Sequence, residues 1–300
     1  MRPLGSGRSL VSLQAAINYA QGVTREHSST FFFGSKFFGR NTRIAIQIIY
    51  AACRRGDDSV DEACNRDDAK SRLALWWQVI NQAYGDERCL EDPLAVGLRW
   101  VVERFPIPFS AFEELHLGLL SDISFKQFKS CDELMVYCRR VAGVIGLLVT
   151  PITGYRGGPE TLDYAVALGN AMQLTNILRD VGEDLNNGRC YLPDELLEKY
   201  DVSVDDLSQG RATKGYFALL EELIGKAKGL YRIGWKGIPC LHGSAGIAVG
   251  IAALSYEGIL TKLENNQYNN LTQRAHLKPV ERVSVIPRVL VEIFVKTRAS

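Results

Sequence analysis

The residues best suited to chemistry lie in the stretch Leu168-Gly-Asn-Ala-Met-Gln-Leu-Thr-Asn-Ile-Leu-Arg-Asp-Val-Gly-Glu-Asp184. Read as a helix, it places Ala165, Gly169, Gln173, Asn176, Asp180 and Asp184 close to one line. Leu168, Leu174, Ile177, Leu178 and Val181 cover much of the remaining surface, so the helix is expected to be buried. Two carboxylates, a carboxamide pair and an Arg inside such a helix need partners. Acids four residues apart repel when both are ionised, and a divalent cation relieves them. Ala165 and Gly169, deeper on the line, leave room for something long and apolar. A metal-binding mouth above an apolar channel is the reading. A single acid pair is more often a solvated helix face, but there is a second copy. Arg54-Arg-Gly-Asp-Asp-Ser-Val-Asp-Glu62 sets Asp57 and Asp61 four apart, with Asp58 beside them, after the apolar run Ile44 to Cys53. Two acid turns, each ending an apolar helix, make a shared metal site the better expectation.

The elements that must carry these turns are helical. Apolar periodicity predicts helices over 10–25, 42–56, 68–83, 94–103, 109–119, 131–150, 160–186, 193–198, 213–234, 243–265 and 279–294. Period-two alternation and hairpin dipeptides are missing. Breaks fall at Arg104-Phe-Pro-Ile-Pro108, Gly154-Tyr-Arg-Gly-Gly-Pro159, Asn186-Asn-Gly188 and Gly234-Trp-Lys-Gly-Ile-Pro239, none of them a long linker. The expectation is one all-α domain over residues 1–300, with 1–14 and 281–300 as less ordered or atypical ends.

With 46% hydrophobic and 23% charged residues in 300, the chain has the make-up of a globular protein with a sizeable core. A net charge of +1, without dense Lys/Arg among aromatics, argues against nucleic acid as a partner. The seven cysteines form no Cys-x-x-Cys pair, so neither zinc nor a disulfide framework is indicated, and reduced thiols in the cytosol are expected. Met1 to Ser12 has Arg2 and Arg8 but no continuous apolar stretch, so no signal peptide is expected. The best membrane candidate, Val141 to Ile152, is too short to span and holds Gly143 and Gly146. Contact with a membrane surface stays compatible with this composition.

Three further features each have two explanations. Glu26-His-Ser-Ser-Thr-Phe-Phe-Phe-Gly-Ser35 suits a helix start with Ser28 or Ser29 as cap, which is the preferred reading of the feature in isolation, and could also seat a diphosphate. In Asp132 to Gly146, Tyr137, Val141, Ile145 and Leu148 share one face beside the small Ala142, Gly143 and Gly146. Helix glycines cost about 1 kcal/mol each, so close helix packing or room for a long ligand must account for them. Tyr256 either makes a core hydrogen bond or faces the channel.

Together and in this order, His27-Ser-Ser-Thr-Phe31, Tyr50-Ala-Ala-Cys-Arg-Arg-Gly-Asp-Asp-Ser-Val-Asp61, Tyr137-Cys-x-x-Val-Ala-Gly-x-x-Gly146 and Gln173 through Asp184 resemble the squalene/phytoene synthase family. Asn187-Gly-Arg-Cys-Tyr-Leu-Pro193 is similar to its bacterial and plant phytoene synthases in particular. Weaker similarity continues through Tyr268 to Ala275. The resemblance implies an isoprenoid synthase helical bundle with a central apolar channel and two facing acid motifs at its mouth. It implies magnesium, or manganese in its place, held by Asp57, Asp61, Asn176, Asp180 and Asp184. Thr30, Arg54, Arg179, Arg189 and Tyr191 would meet diphosphate oxygens, and Tyr137 and Arg179 would join the acids in catalysis. Phe31, Tyr50, Val141, Ala142, Ile145, Gly146, Ala165, Gly169, Met172, Gln173 and Tyr256 would line the channel. Arg139 and Arg140 depart from the family pattern and are expected to point away from it.

The implied reaction is head-to-head joining of two geranylgeranyl diphosphates, through a cyclopropyl (prephytoene) diphosphate, to phytoene, without NADPH. It is the first committed step of carotenoid biosynthesis. One alternative is a squalene or dehydrosqualene synthase using two farnesyl diphosphates. Another is an inactive assembly factor of the same fold, which intact acid turns disfavour. A cytoplasmic enzyme attached peripherally to membrane is expected, because both donors and the product partition into lipid.

Overall fold

In the computed structural model, residues 11–27, 38–87, 89–276, 281 and 284–298 are described. Thr30 and Phe31, with the Ser28 and Ser29 caps, lie outside them. The chain divides into two compact units, Met1–Ser124 with Pro151–Thr153, and Phe125–Thr150 with Gly154–Ser300.

The first unit holds α1 (Leu13–His27), α2 (Arg40–Asp61), α3 (Arg66–Tyr84), α4 (Pro93–Val102) and α5 (Phe109–Ile123). Local chemistry starts these helices. The Asn65 side chain caps α3 by accepting from the Asp67 and Asp68 N–H groups, and Asp92 caps α4 ahead of Pro93. Isoleucines 44, 46, 48 and 49 of α2 are buried, with Leu73 and Trp76 of α3, Leu94 and Leu98 of α4, and Phe112 and Leu115 of α5. The Trp76 indole N–H donates to the Ala52 carbonyl at 2.8 Å, which ties α3 to α2 one turn before Asp57.

The second unit is organised around α8 (Glu160–Asn186). Before it come α6 (Cys131–Cys138), a π turn (Arg139–Gly143) and α7 (Val144–Thr153), which form one rod whose last three residues count with the first unit. After it come α9 (Asp194–Lys199), α10 (Val204–Ser208), α11 (Lys214–Gly234), a 3-10 turn (Ile238–Cys240), α12 (Ala245–Asn265) and α13 (Ile286–Arg298). Helices α11 and α12, the π turn, α6 and α10 all pack on α8. Ser130 caps α6 and Thr213 caps α11. The breaks read from Gly154 and Gly188 are glycines at φ 71° and 73°.

The predicted helices are present among the described residues, and no strand occurs there beyond an isolated bridge between Tyr155 and Leu241. Helix α2 runs on through its acid turn to Asp61, so the acids lie within it. Within the predicted 279–294 helix, Glu281 and Ser284 are helical, Val285 is a turn and α13 follows from Ile286, while 279, 280, 282 and 283 lie outside the described residues. The reading of Val141 to Ile152 as too short to span a bilayer needs correction. Its rod runs from Cys131 to Thr153, and it and α12 are long and apolar enough to cross by length and composition alone. Buried helices of a water-soluble core meet the same test, and Leu134, Leu148, Ala253 and Leu260 are core residues here.

Candidate active site

Helix α8 presents two different surfaces. Val166, Ala167, Leu168, Ala171, Leu174, Thr175, Ile177, Leu178 and Val181 are buried. Ala165, Gly169, Met172, Gln173, Asn176, Arg179, Asp180 and Asp184 are half-buried, so the predicted line stays accessible beside the buried face; Asp163 and Glu183 are exposed, and Asn170 and Leu185 are half-buried as well. Val141, Ala142, Ile145 and Gly146 are half-buried in the same way.

Close packing bears on the glycines here. A Cβ on Gly146 would lie 2.7 Å from the Ala165 carbonyl carbon and 2.9 Å from its Cβ. A Cβ on Gly169 would lie 2.8 Å from both the Ala142 carbonyl carbon and the Gly143 Cα. Close contact between the rod and α8 is thus one reason for glycine at both positions. The π turn falls at this contact, as π turns often do at functional sites. Arg139 and Arg140 open it and are half-buried.

At its C-terminal end α8 carries Asp180, Glu183 and Asp184 with no basic residue in its last turn. Helix α2 likewise ends in Asp57, Asp58 and Asp61 without one. Negative charge at the negative end of a helix dipole is unfavourable, so both ends need cations. Burial and then the Asp180 charge push Asp184 up to about 7. Burial and then Asp61 push Asp57 up to about 7, with Asp122 of α5 adding to the effect. The cations present are arginines. Arg54 pairs with Asp58 one turn on. Arg179 donates to both Asp180 oxygens at 2.8 and 2.5 Å. Arg274 donates to the same two at 2.8 and 3.1 Å.

Among the described residues, no three His, Cys, Asp or Glu side chains converge as a ready-made metal cluster. The donor set nonetheless fits a hard cation. Asp180 and Asp184 offer carboxylates one turn apart, and Asn176 Oδ1 is a buried acceptor with no hydrogen-bond partner among the described residues. In the other unit Asp57 is half-buried and Asp61 exposed.

Around the α8 turn, Tyr137 and Tyr191 have ring centroids 5.4 Å apart and share a cluster with Phe125 and Phe128. The Arg189 guanidinium donates to the Tyr191 hydroxyl at 3.4 Å. The Tyr256 phenol lies close enough to Arg179 to act on its charge, which places it near the acid turn. Tyr50 of α2 is half-buried, one turn before Arg54. Sequence reading missed Arg274, Asn270 and Asp122. Nothing periodic marks the first two, and Asp122 meets Asp57 only through the fold.

The model of the squalene/phytoene synthase family matches residues 24–281, which span both units. The phytoene synthase of Thermus thermophilus is 46% identical over 270 residues, covering 89% of each chain. Chloroplastic phytoene synthase 3 of Zea mays is 33% identical over 293 residues, covering 96% of this chain and 68% of that one. A crystal structure of a ligand-bound dehydrosqualene synthase superposes with a TM-score of 0.84 at 28% identity, covering 95% of this chain and 98% of that one. With both acid turns intact inside the matched region, the chain belongs to the squalene/phytoene synthase family, on its phytoene synthase side.

Proposed function

We propose that this chain is a magnesium-dependent, NADPH-independent prenyltransferase that joins two geranylgeranyl diphosphates head to head into phytoene. The observation that carries the reading is the accessible stripe of α8, which runs from small and apolar residues to Asn176, Asp180 and Asp184. It suits a ligand with an anionic head and a long apolar tail. Asp180, Asp184 and Asn176 Oδ1 would hold one metal cluster, and Asp57 and Asp61 another. Bound magnesium supplies the positive charge that stabilises diphosphate as it leaves. Arg179, Arg189 and Tyr191 bind diphosphate oxygens and share that load. Val141, Ile145, Ala165 and Met172 keep water from the allylic cation. The Tyr137 ring offers a cation–π face worth about 0.5–2 kcal/mol. Joining the donors releases one diphosphate and a proton and leaves a cyclopropyl diphosphate. Its ionisation, rearrangement and loss of a second proton give the triene and the second diphosphate, with no reductant consumed.

The test is incubation with C15 and C20 diphosphates separately, with magnesium and without NADPH, followed by product identification. Phytoene from the C20 donor is expected. A C30 product alone would favour the dehydrosqualene alternative, and no diphosphate release from either donor would refute the enzyme reading.

The reading includes a cytoplasmic enzyme in peripheral contact with membrane, and one surface supports that contact. Lys226, Arg232 and Ile233 are exposed on α11 and, with the half-buried Gly229 and with Lys236 just past the helix end, line an open groove of about 450 Å³. Each Lys or Arg near an anionic bilayer is worth about 1 kcal/mol. Vesicle flotation should retain the protein on anionic lipid and lose it when all three cations become Gln. Equal flotation of both would exclude this face.

A further inference from the structure

Asn270 lies ninety-two residues from Leu178 in the chain and is buried against it. Its Nδ2 donates to the Leu178 carbonyl at 2.6 Å, and its own carbonyl accepts from the Gly182 N–H at 3.1 Å. Leu178 and Gly182 are the two residues that an α-helix joins by its own ladder bond. Asn270 thus grips both ends of one turn of α8, and Asp180 sits at the middle of that turn.

The grip is held from outside. Asn270 Oδ1 accepts from the Tyr216 hydroxyl at 2.7 Å. Just before it, Gln267 and Tyr268 are at φ 58° and 59°. Two successive non-glycine residues in the left-handed region are strained, and such strain persists only where surroundings enforce it. Tyr268 is fixed by its N–H to the Leu263 carbonyl at 2.7 Å and its hydroxyl to Glu221 at 3.1 Å. Gly182 is the matching concession on α8. A Cβ there would lie 2.7 Å from the Leu271 carbonyl carbon and 2.9 Å from its Cα, both backbone atoms. Four residues beyond Asn270, the same segment delivers Arg274 to both oxygens of Asp180.

We propose that Asn270 is a positioning residue for the Asp180–Asp184 turn: it clasps α8 across Asp180 and sets the spacing at which the two carboxylates are presented to a divalent cation. The proposal rests on the metal reading above, and the test separates the two. Binding of Mn²⁺, followed by the spin resonance of the free ion, and amide hydrogen exchange of residues 180–184 are measured on the full chain. Variants are Asn270→Ala, Gly182→Ala and, as an outer control, Tyr216→Phe. Groups behind a ligand typically change metal affinity 10–100-fold. Asn270→Ala and Gly182→Ala should each weaken Mn²⁺ at least tenfold and speed exchange at 180–184. Tyr216→Phe leaves both Asn270 bonds to α8 in place, so it should lower the melting temperature and weaken Mn²⁺ by less than Asn270→Ala does. A folded Asn270→Ala protein that binds Mn²⁺ within twofold of wild type overturns the clasp. If that variant does not fold, Asn270→Ser is read by the same thresholds. If wild type takes up no Mn²⁺, the metal reading fails, and unchanged exchange at 180–184 in the variant then overturns the clasp as well.

Discussion

Gly169→Ala and Gly225→Ala are the same chemical change within helices of the same unit, and they should move stability in opposite directions. Replacing Gly by Ala inside a helix gains about 1 kcal/mol from reduced unfolded-state freedom. At Gly225, on the exposed side of α11, no heavy atom lies within 4 Å of the added Cβ. That gain is therefore expected nearly whole, about 0.5–1 kcal/mol. At Gly169 the Cβ would lie 2.8 Å from the Ala142 carbonyl carbon and 2.8 Å from the Gly143 Cα, and it also crowds the Ala142 carbonyl oxygen. All three are backbone atoms, so relief requires α8 and the π turn to move apart, which puts the cost in the upper part of the overpacking range, about 2–3 kcal/mol. After the propensity gain, a net loss of about 1–2 kcal/mol remains. At about 2–4 °C per kcal/mol for a unit of this size, Gly169→Ala should melt roughly 2–8 °C below wild type. Gly225→Ala should melt roughly 1–4 °C above it. Calorimetry on the whole chain reads both, because both glycines belong to the second unit and report on one transition. If Gly169→Ala melts at or above wild type, the close approach of the rod to α8 is not what that glycine provides.

Asp180→Asn and Asp57→Asn should each lower turnover by a factor on the order of 10² or more with the fold retained, since a neutral amide cannot replace a charged metal ligand; near-normal turnover in both would sink the metal assignment. Divalent binding should weaken as pH falls. Asp57 and Asp184 are raised to about 7, so each keeps its proton below that pH and the metal must displace it. For one such carboxyl the arithmetic gives affinity about tenfold weaker at pH 6 than at pH 8, and titrations that agree at both values would contradict it. Ala165→Phe should shift donor use from C20 toward C15, because one isoprene unit matches about three residues of helix rise. Ala165 abuts Gly146, so a fall in melting temperature is expected alongside. An unchanged C15 to C20 ratio in the folded variant would remove Ala165 from the channel.

The helices were legible because each carries its own signal. Isoleucines 44, 48 and 49 repeat at helical spacing, Asn65 and Thr213 cap where caps are wanted, and Gly154 and Gly188 stop helices at positive φ. The acid turns were legible for the same reason, since carboxylates four apart on one helix are a local pattern. Sequence spacing left the glycines of the rod undecided, because Gly146 answers to Ala165 on α8, as Gly169 of α8 answers to Ala142 in the π turn. The π turn escaped notice too, since a register change of one residue leaves the apolar pattern almost intact. Arg274 is ninety-four residues from Asp180, and Asn270 is ninety-two from Leu178. No periodicity spans such a gap. Gly182 shows the limit most clearly. Within its own helix it reads only as a weak residue, costing about 1 kcal/mol. Its reason is the Leu271 backbone, which leaves no space for a Cβ. A residue that looks locally unfavourable inside a functional motif is thus a pointer to a partner distant in sequence, and here that partner is the segment that also carries Asn270 and Arg274.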